Sequence, residues 1–169
     1  MVVSHAANAD SFKVTLPSDQ EIQMTRLFSA PRHLVFDAMT IPDQVRQWWG
    51  RLGEDYTVPV CEADLRVGGR WRYVSRHPWG EATRYGEYQE FTPPSRLVYT
   101  QKFDELPGTV TVVTSVFAEE GAKTRLTITV RYQSVMMRDK VLAGGMSSIA
   151  GISYDALEDV LSALQRGRP

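Results

Sequence analysis

Cysteine and histidine, which build disulfides and many metal sites, are scarce in this sequence. The single cysteine, Cys61, cannot form an internal disulfide, and the histidines His5, His33 and His77 are scattered along 169 residues. Cys61 lies in a strand-like segment, where a free cysteine usually packs as a small apolar group. Gly68-Gly69 joins two predicted strands and opens no helix, so it indicates a turn rather than a phosphate-binding loop. The sequence therefore predicts neither a metal site nor a cofactor.

The sequence also lacks an excess of charge of either sign. Its 19 lysines and arginines nearly balance 20 aspartates and glutamates, which gives a formal net charge of −1. Binding to nucleic acid or to an anionic membrane needs a basic face, so this balance argues against both partners. No apolar run is long enough to span a membrane, and residues 1–10 have neither the basic start nor the apolar core of a secretion signal. We therefore expect a cytoplasmic protein.

No linker rich in proline, glycine or serine divides the chain. A length of 169 residues suits one domain with a sizeable core. The first residues are small and polar, which is typical of a frayed terminus. We predict a flexible N-terminal tail over residues 1–11, a single domain over residues 12–165 and a C-terminal tail over residues 166–169.

Most of the chain carries strand signals. Apolar residues alternate with polar ones from Phe12 to Phe28, which predicts a first strand and, before Pro17, a short arm that pairs with it. Pro31 and Pro42 then begin two short predicted helices, the second of which ends at Gly50. Turn signals separate the six strands that follow, and such short connections imply an antiparallel meander. These strands are predicted over residues 56–62, 70–77, 83–91, 96–103, 109–118 and 123–132.

The last segment predicts one long helix from Ser134, a plausible N-cap, to about Gln165. Such a helix would span about 45 Å, enough to cover the concave face of a sheet. Gly144, Gly145 and Gly151 lie inside it, each at a cost of about 1 kcal/mol relative to alanine. We favour close packing over open space for a ligand as the reason for these glycines, and for Gly145 in particular.

Eight short motifs, in the same order throughout, resemble one known family. The motifs are Arg26–Pro31, Val35-Phe36, Trp48–Gly50, Asp64–Trp71, Gly86–Glu90, Pro94–Leu97, Thr124–Leu126 and Gly144–Met146. They resemble those of bacterial proteins similar to the C-terminal domain of the activator of the heat-shock-protein-ninety ATPase. That family belongs to the START-like, helix-grip superfamily, often called SRPBCC. The resemblance and the element order imply an α+β fold, in which a curved antiparallel sheet of about seven strands wraps around a long C-terminal helix.

Because members of that superfamily contain a deep cavity, the aromatic residues are candidates for its wall. If the concave face carries Trp71 and Tyr73, alternation places Arg70 and Arg72 on the other face. A mostly apolar lining with a few hydroxyl groups is typical of small-molecule sites. A plain core role for the same residues is about equally consistent with the pattern. The candidate ligand-binding residues are Trp48, Trp49, Trp71, Tyr73, Tyr88, Tyr99, Ser115, Phe117, Met137, Val141 and Met146.

The sequence offers no acid–base pair for catalysis. Glu87 and Glu90 lie three apart in one strand and so point to opposite faces. The other acidic pair, Glu62 and Asp64, is better explained by an ion-pair cluster around the following turn. His77, at a strand end, is expected at the rim. We therefore predict no catalytic residue.

Three functions stay open at this point. The first is binding of a small hydrophobic or aromatic molecule in a cavity between the sheet and the C-terminal helix, without chemistry. The second is a cavity enzyme of the polyketide cyclase, dehydratase or hydrolase type. The third is a chaperone-interacting module, which the family resemblance implies. The lack of an acid–base pair favours the first, with a small apolar or aromatic ligand as the partner and a homodimer as a further option.

Overall fold

The computed structural model describes residues 12–167, which form one curved antiparallel sheet and four helices. The strands are β1 (Phe12–Thr15), β2 (Glu21–Phe28), β3 (Thr57–Ala63), β4 (Arg70–His77), β5 (Gly80–Thr92), β6 (Arg96–Phe103), β7 (Val110–Glu120) and β8 (Lys123–Arg131). The helices are α1 (Arg32–Thr40), α2 (Pro42–Val45), α3 (Val135–Ala143) and α4 (Met146–Arg166). No helix within residues 12–167 has the length and hydrophobicity needed to cross a membrane.

The sheet order is β1-β2-β8-β7-β6-β5-β4-β3, so strands β3 to β8 form the predicted meander. Strand β2 closes against β8, with Glu21 opposite Arg131 and Phe28 opposite Thr124. The α+β helix-grip fold is confirmed. The sheet has eight strands in the described part of the chain rather than about seven, because the N-terminal arm is a separate strand that pairs with β2.

Alternation of side chains sets which face of the sheet is buried. Every second residue is buried throughout β2 and along most of β7 and β8, as expected for strands with one face in the core and one toward solvent. The main core consists of the buried residues Met24, Phe28, Ala30, Leu34, Val35, Phe36, Ala38, Trp48, Leu97, Val113, Phe117, Leu126, Ile128, Tyr154, Leu157 and Leu161.

The predicted single C-terminal helix is wrong in one respect, because it is broken at Gly144 and Gly145. Ser134 caps α3 as expected, since its side chain accepts a hydrogen bond from the Met137 N–H at 3.2 Å. Helix α3 ends at Ala143, and Gly145 has a φ of +86° before α4 begins. A residue with a Cβ rarely adopts this left-handed conformation, so a glycine is favoured there. The long helix that covers the sheet is α4 alone.

The expectation of close packing at Gly145 is also wrong. A Cβ built on Gly145 would meet nothing within 4 Å. The backbone conformation at the helix break is therefore the reason for this glycine. Gly151, inside α4, has only ordinary contacts, since its Cβ would lie 3.8 Å from the Phe12 ring.

Helix α4 covers the β1–β2–β8 side of the concave face. Its side chains Tyr154, Leu157 and Leu161 are buried at spacings of three and four residues, which form one helix face. Tyr154 packs edge-on against Phe28, with ring centroids 6.1 Å apart. An ion pair also joins β2 to α4, because the Arg26 guanidinium lies 2.7 Å from an Asp155 carboxylate oxygen.

Helix α1 packs beside α4 on the middle of the concave face, against β7 and β8. The C-terminal end of α1, α2 and the residues that follow α2 cover the other side. Trp48 anchors this cover, since its Nε1 donates a buried hydrogen bond of 2.8 Å to the Ala38 carbonyl. Gly50, farther along the same segment, is held to the sheet, because its carbonyl accepts a hydrogen bond of 3.0 Å from the Ser75 hydroxyl on β4. A second, smaller core lies beneath, formed by the buried residues Val45, Val58, Cys61, Trp71, Tyr73 and Tyr88.

Candidate functional site

A partly open cavity of about 130 Å³ lies between the sheet and the cover formed by α1, α2 and the residues after α2. Strands β4 to β7 supply most of its wall, through side chains that alternate on the concave face. The sheet residues are Trp71, Tyr73, Arg84, Tyr88, Leu97, Tyr99, Gln101 and Ser115. The cover residues are Met39, Val45, Trp48 and Trp49.

Half of the twelve wall residues are aromatic, and five of these rings contact one another. Trp71 lies with its ring centroid 5.0 Å from Tyr73 and 5.4 Å from Tyr99. Trp49, from the cover, meets Tyr73 edge-on at 5.2 Å, and Tyr88 meets Tyr99 at 6.1 Å. Edge-to-face contacts at these distances are favourable, so the rings hold one another in place. The wall is therefore an ordered aromatic surface.

Gly86 makes room for Trp71 on the neighbouring strand. The two residues are paired across β4 and β5. A Cβ at Gly86 would lie 1.8 Å from the Thr100 carbonyl oxygen and 3.0 Å from Trp71 Nε1. The contact with the Thr100 backbone is not tolerated, so a glycine is required here, and its missing side chain also leaves room for the Trp71 indole. The sequence reading did not find this role for Gly86.

Two buried polar atoms of the cavity residues have no hydrogen-bond partner in the protein. These are the Ser115 hydroxyl oxygen and Trp71 Nε1. Ser115 is 0% exposed and Trp71 is 6% exposed, so bulk solvent does not reach either residue freely. Most buried polar atoms in proteins are hydrogen-bonded, because an unsatisfied one costs about 1–3 kcal/mol. A molecule in the cavity could supply both missing partners.

The tyrosines of the wall are neutral at physiological pH. Burial raises the pKa of Tyr88 to about 12, and a weaker interaction with Tyr73 opposes this shift. Burial also raises the pKa of Tyr73 and that of Tyr99 above the usual value. Ser115 lies beside Tyr99 and partly opposes the shift there. Each phenol thus keeps its proton at physiological pH, and the Tyr73 and Tyr88 hydroxyl groups interact with each other.

Arg84 is the one cationic side chain of the wall, and it is already paired. Its guanidinium lies 2.9 Å from a Glu105 carboxylate oxygen and 4.4 Å from the centre of the Phe103 ring. Burial lowers the pKa of Arg84, while the charge of Glu105 opposes that shift. With this partner, Arg84 presents little uncompensated charge to the cavity.

Seven of the eleven predicted site residues line the cavity: Trp48, Trp49, Trp71, Tyr73, Tyr88, Tyr99 and Ser115. The other four do not. Phe117 belongs to the main core, where its ring lies 5.1 Å from Phe36. Met146 packs against the same core from α4. Met137 and Val141 lie on α3, which the helix break separates from α4.

The expected position of the cavity, between the sheet and the C-terminal helix, is therefore corrected. No residue of α3 or α4 lines it, and α1, α2 and the following residues close it instead. Five wall residues were missed: Met39, Val45, Arg84, Leu97 and Gln101. Alternation could have found three of them, since Arg84 lies four residues before Tyr88, and Leu97 and Gln101 flank Tyr99 at a spacing of two.

The remaining polar candidates lie outside the cavity. Arg66 forms an exposed ion pair of 2.8 Å with Asp64, at the turn where a charged cluster was expected. His77 lies at the end of β4, where its Nδ1 accepts a hydrogen bond from the Trp79 N–H at 3.3 Å. No cluster of acidic, histidine or cysteine residues able to hold a metal ion occurs in residues 12–167.

Cys61 is a packed thiol, as its position in the sequence predicts. It is buried in β3, and its sulfur lies 3.3 Å from the Pro42 carbonyl oxygen. Burial raises the pKa of Cys61 to about 11, although Arg46 opposes the shift. The thiol is therefore protonated at physiological pH and is a poor nucleophile.

Comparison with solved structures places the chain among bacterial proteins of the same architecture. A protein from Rhodobacter sphaeroides is 26% identical, with a TM-score of 0.83 over 90% of this chain and 99% of that chain. A protein from Mycobacterium smegmatis, Ms6760, is 24% identical, with a TM-score of 0.79 over 90% and 98% of the two chains. Protein NE0264 from Nitrosomonas europaea is 21% identical, with a TM-score of 0.78 over 89% and 99%. No curated protein sequence matches significantly.

The family model described as "Activator of Hsp90 ATPase homolog 1-like protein" matches residues 29–162. This range begins just before α1 and ends within α4, so it includes every residue of the cavity wall. The match covers most of the chain and agrees with the fold of the similar structures. The chain belongs to the family of activator of Hsp90 ATPase homolog 1-like proteins.

Proposed function

We propose that this protein binds a small aromatic or apolar molecule in the cavity between the sheet and the α1–α2 cover. The observation that carries the proposal is the aromatic wall around about 130 Å³ of space. An apolar cavity of about 150 Å³ in another protein is known to bind benzene. The size supports a ligand with one ring, and the partly open wall gives it a route in.

The composition of the wall supports binding rather than catalysis. None of its twelve residues is a histidine, an aspartate or a glutamate. Its tyrosines hold their protons well above physiological pH, and its one arginine is paired with Glu105. General acid–base catalysis needs a group that exchanges a proton near the working pH. The wall has hydrogen-bond donors that can orient a ligand, but it has no group that exchanges a proton near physiological pH.

The near-neutral charge of the chain supports a small molecule rather than a nucleic acid as the partner. A cytoplasmic location and a homodimer remain predictions from the sequence.

Two matched methionine variants test the proposal. Met39 lines the cavity, whereas Met146 packs against the main core, and both are partly buried. In Met39→Phe the larger side chain occupies the cavity, so we expect the affinity for toluene to fall at least about tenfold. In Met146→Phe the affinity is expected to stay within about twofold of the parent, because the cavity is unchanged.

The affinity for toluene is measured by ligand-observed NMR, with far-UV circular dichroism to show that both variants are folded. Equal loss of affinity in the two variants, or no binding of toluene to the parent, would contradict the proposal.

A further inference from the structure

Ser115 places a hydroxyl group in an aromatic wall, where the Tyr99 phenol lies beside it. Its side chain lies on the concave face of β7, between Val113 and Phe117 on the same face. It is 0% exposed, and its oxygen makes no well-formed hydrogen bond. The interaction with Tyr99 is the weak one that partly opposes the rise in the pKa of that phenol. The hydroxyl group is therefore incompletely satisfied within the protein, and a polar contact with a bound molecule would complete its hydrogen bonding.

Two other polar groups of the wall lie on neighbouring strands. Tyr99, on β6, lies beside Ser115 and has a protonated hydroxyl at physiological pH. Trp71, on β4, meets the Tyr99 ring edge-on, and its Nε1 also lacks a partner. An indole N–H donates only, whereas the two hydroxyl groups both donate and accept. Together they suit a ligand oxygen better than a ligand that is only hydrocarbon.

The wall offers no carboxylate to a positive charge on a ligand, and Arg84 places a like charge beside the cation–π contacts that its rings could make. None of its residues is acidic, and Glu105, which adjoins Arg84, is already engaged by that arginine. An ammonium group would lose its hydration without gaining an opposite charge, and that loss is large in a buried site. Amines should therefore be excluded from the cavity.

We infer that the cavity selects a neutral single-ring aromatic molecule with one oxygen substituent, a hydroxyl or a carbonyl, and that Ser115 binds this oxygen. The inference rests on the proposed function, since it names the ligand class of the same cavity. Ser115 is then a residue that determines specificity. The aromatic wall binds the ring, and the hydroxyl group of Ser115 distinguishes a polar ligand from a hydrocarbon of equal size.

Phenol and toluene test this selection, because the two molecules have the same shape and differ in one group. Phenol is the better hydrated of the two in water, so a purely apolar cavity would prefer toluene. With its oxygen bound to Ser115, phenol is expected to bind the parent protein at least as tightly as toluene. Benzylamine, which is cationic at pH 7, is expected not to bind.

Two serine variants separate a specific contact from a general effect. Ser115→Ala removes the unpaired hydroxyl, and the ratio of phenol affinity to toluene affinity should fall about tenfold. Its melting temperature should stay close to that of the parent, because the hydroxyl group makes no well-formed hydrogen bond in the protein. Ser75 is buried on the same face of the sheet, but it is outside the cavity wall and bonded to the Gly50 carbonyl. Ser75→Ala should lower the melting temperature and leave the ratio unchanged.

The outcomes distinguish this inference from the proposed function. If toluene binds the parent and Met39→Phe blocks it, but the phenol-to-toluene ratio is the same in Ser115→Ala, the inference is overturned and the cavity remains a binding site. Tight binding of benzylamine would also overturn it. If neither phenol nor toluene binds the parent, the proposed function fails, and the inference fails with it.

Discussion

The two halves of the sheet are covered in different ways, and only one of them is fully packed. On the β1–β2–β8 side, α4 inserts Tyr154, Leu157 and Leu161 into the main core, and no residue of α4 borders the cavity. On the β4–β6 side, two short helices and a loop cover a wall of large aromatic rings, and space remains. The main core, to which α1 and α4 both contribute, is therefore closely packed, whereas a cavity remains under the end of α1, α2 and the following residues.

Two leucines, one in each half, should show this difference in stability. Both belong to the main core, where Leu157 is 0% and Leu97 is 2% exposed, but only Leu97 borders the cavity. Leu157→Ala leaves a new void, and we expect it to destabilise the protein by about 4 kcal/mol. Leu97→Ala enlarges an existing void and should cost about 2 kcal/mol, because fewer contacts are lost.

Urea denaturation of the parent and of the two variants gives their free energies of unfolding. The shift of each variant's midpoint from that of the parent gives its loss of stability. In addition, Leu97→Ala should bind ligands larger than toluene, whereas Leu157→Ala should not gain this ability. Equal destabilisation by the two variants, with no change in ligand size, would mean that the halves are packed alike.

The cavity tyrosines should make the protein unstable at alkaline pH. Burial raises the pKa of Tyr88 from 10.0 to about 12, so the folded state favours the protonated phenol. This contribution is complete below pH 10 and is lost as the pH rises through about 12. At its largest it amounts to a few kcal/mol, since each pKa unit corresponds to about 1.4 kcal/mol.

The free energy of unfolding measured from pH 8 to pH 12 checks this prediction. The Tyr88→Phe variant should lose less stability than the parent as the pH rises. Part of the pH dependence should persist in this variant, because Tyr73 and Tyr99 still ionise. A parent protein whose stability does not change between pH 10 and pH 12 would contradict the burial of these phenols.

The glycines of the C-terminal segment should respond in opposite ways to alanine. Gly145 has a left-handed backbone conformation, so Gly145→Ala should destabilise the protein by about 1–2 kcal/mol. Gly151 lies in regular helix with space for a Cβ, so Gly151→Ala should stabilise it by up to about 1 kcal/mol. Thermal unfolding of the pair measures both effects. Stabilisation by Gly145→Ala would be evidence for one continuous helix.

Local patterns in the sequence were sufficient to predict most of the sheet and its buried face. Alternation placed Trp71 and Tyr73 on one face, and Tyr88 and Tyr99 were found by the same rule. Turn residues between the strands predicted the meander, because each connection is too short for a crossover. The sequence-based prediction of the family also rested on short motifs, of which about half lie in these strands and turns and the others in or beside the helices.

Features that depend on distant contacts were not accessible from the sequence. A glycine in a helical pattern does not reveal its φ angle, so the break at Gly145 could not be distinguished from a packing site. The need for glycine at Gly86 arises from Thr100 on another strand. The way in which α1, α2 and α4 divide the concave face decides which element closes the cavity. This division cannot be read from local patterns, so Met137 and Val141 were wrongly assigned to the cavity wall.

The central claim is that a ligand site lies in the half of the sheet under the short cover. The tryptophan indole signals in a ¹H–¹⁵N NMR spectrum test this claim most directly. Trp48, Trp49 and Trp71 line the cavity, while Trp79 is 81% exposed at the β4–β5 turn and serves as an internal control. On titration with phenol, the three cavity signals should shift along one saturable curve, and the Trp79 signal should stay in place. Cavity signals that do not move, or a Trp79 signal that moves with them, would contradict the account.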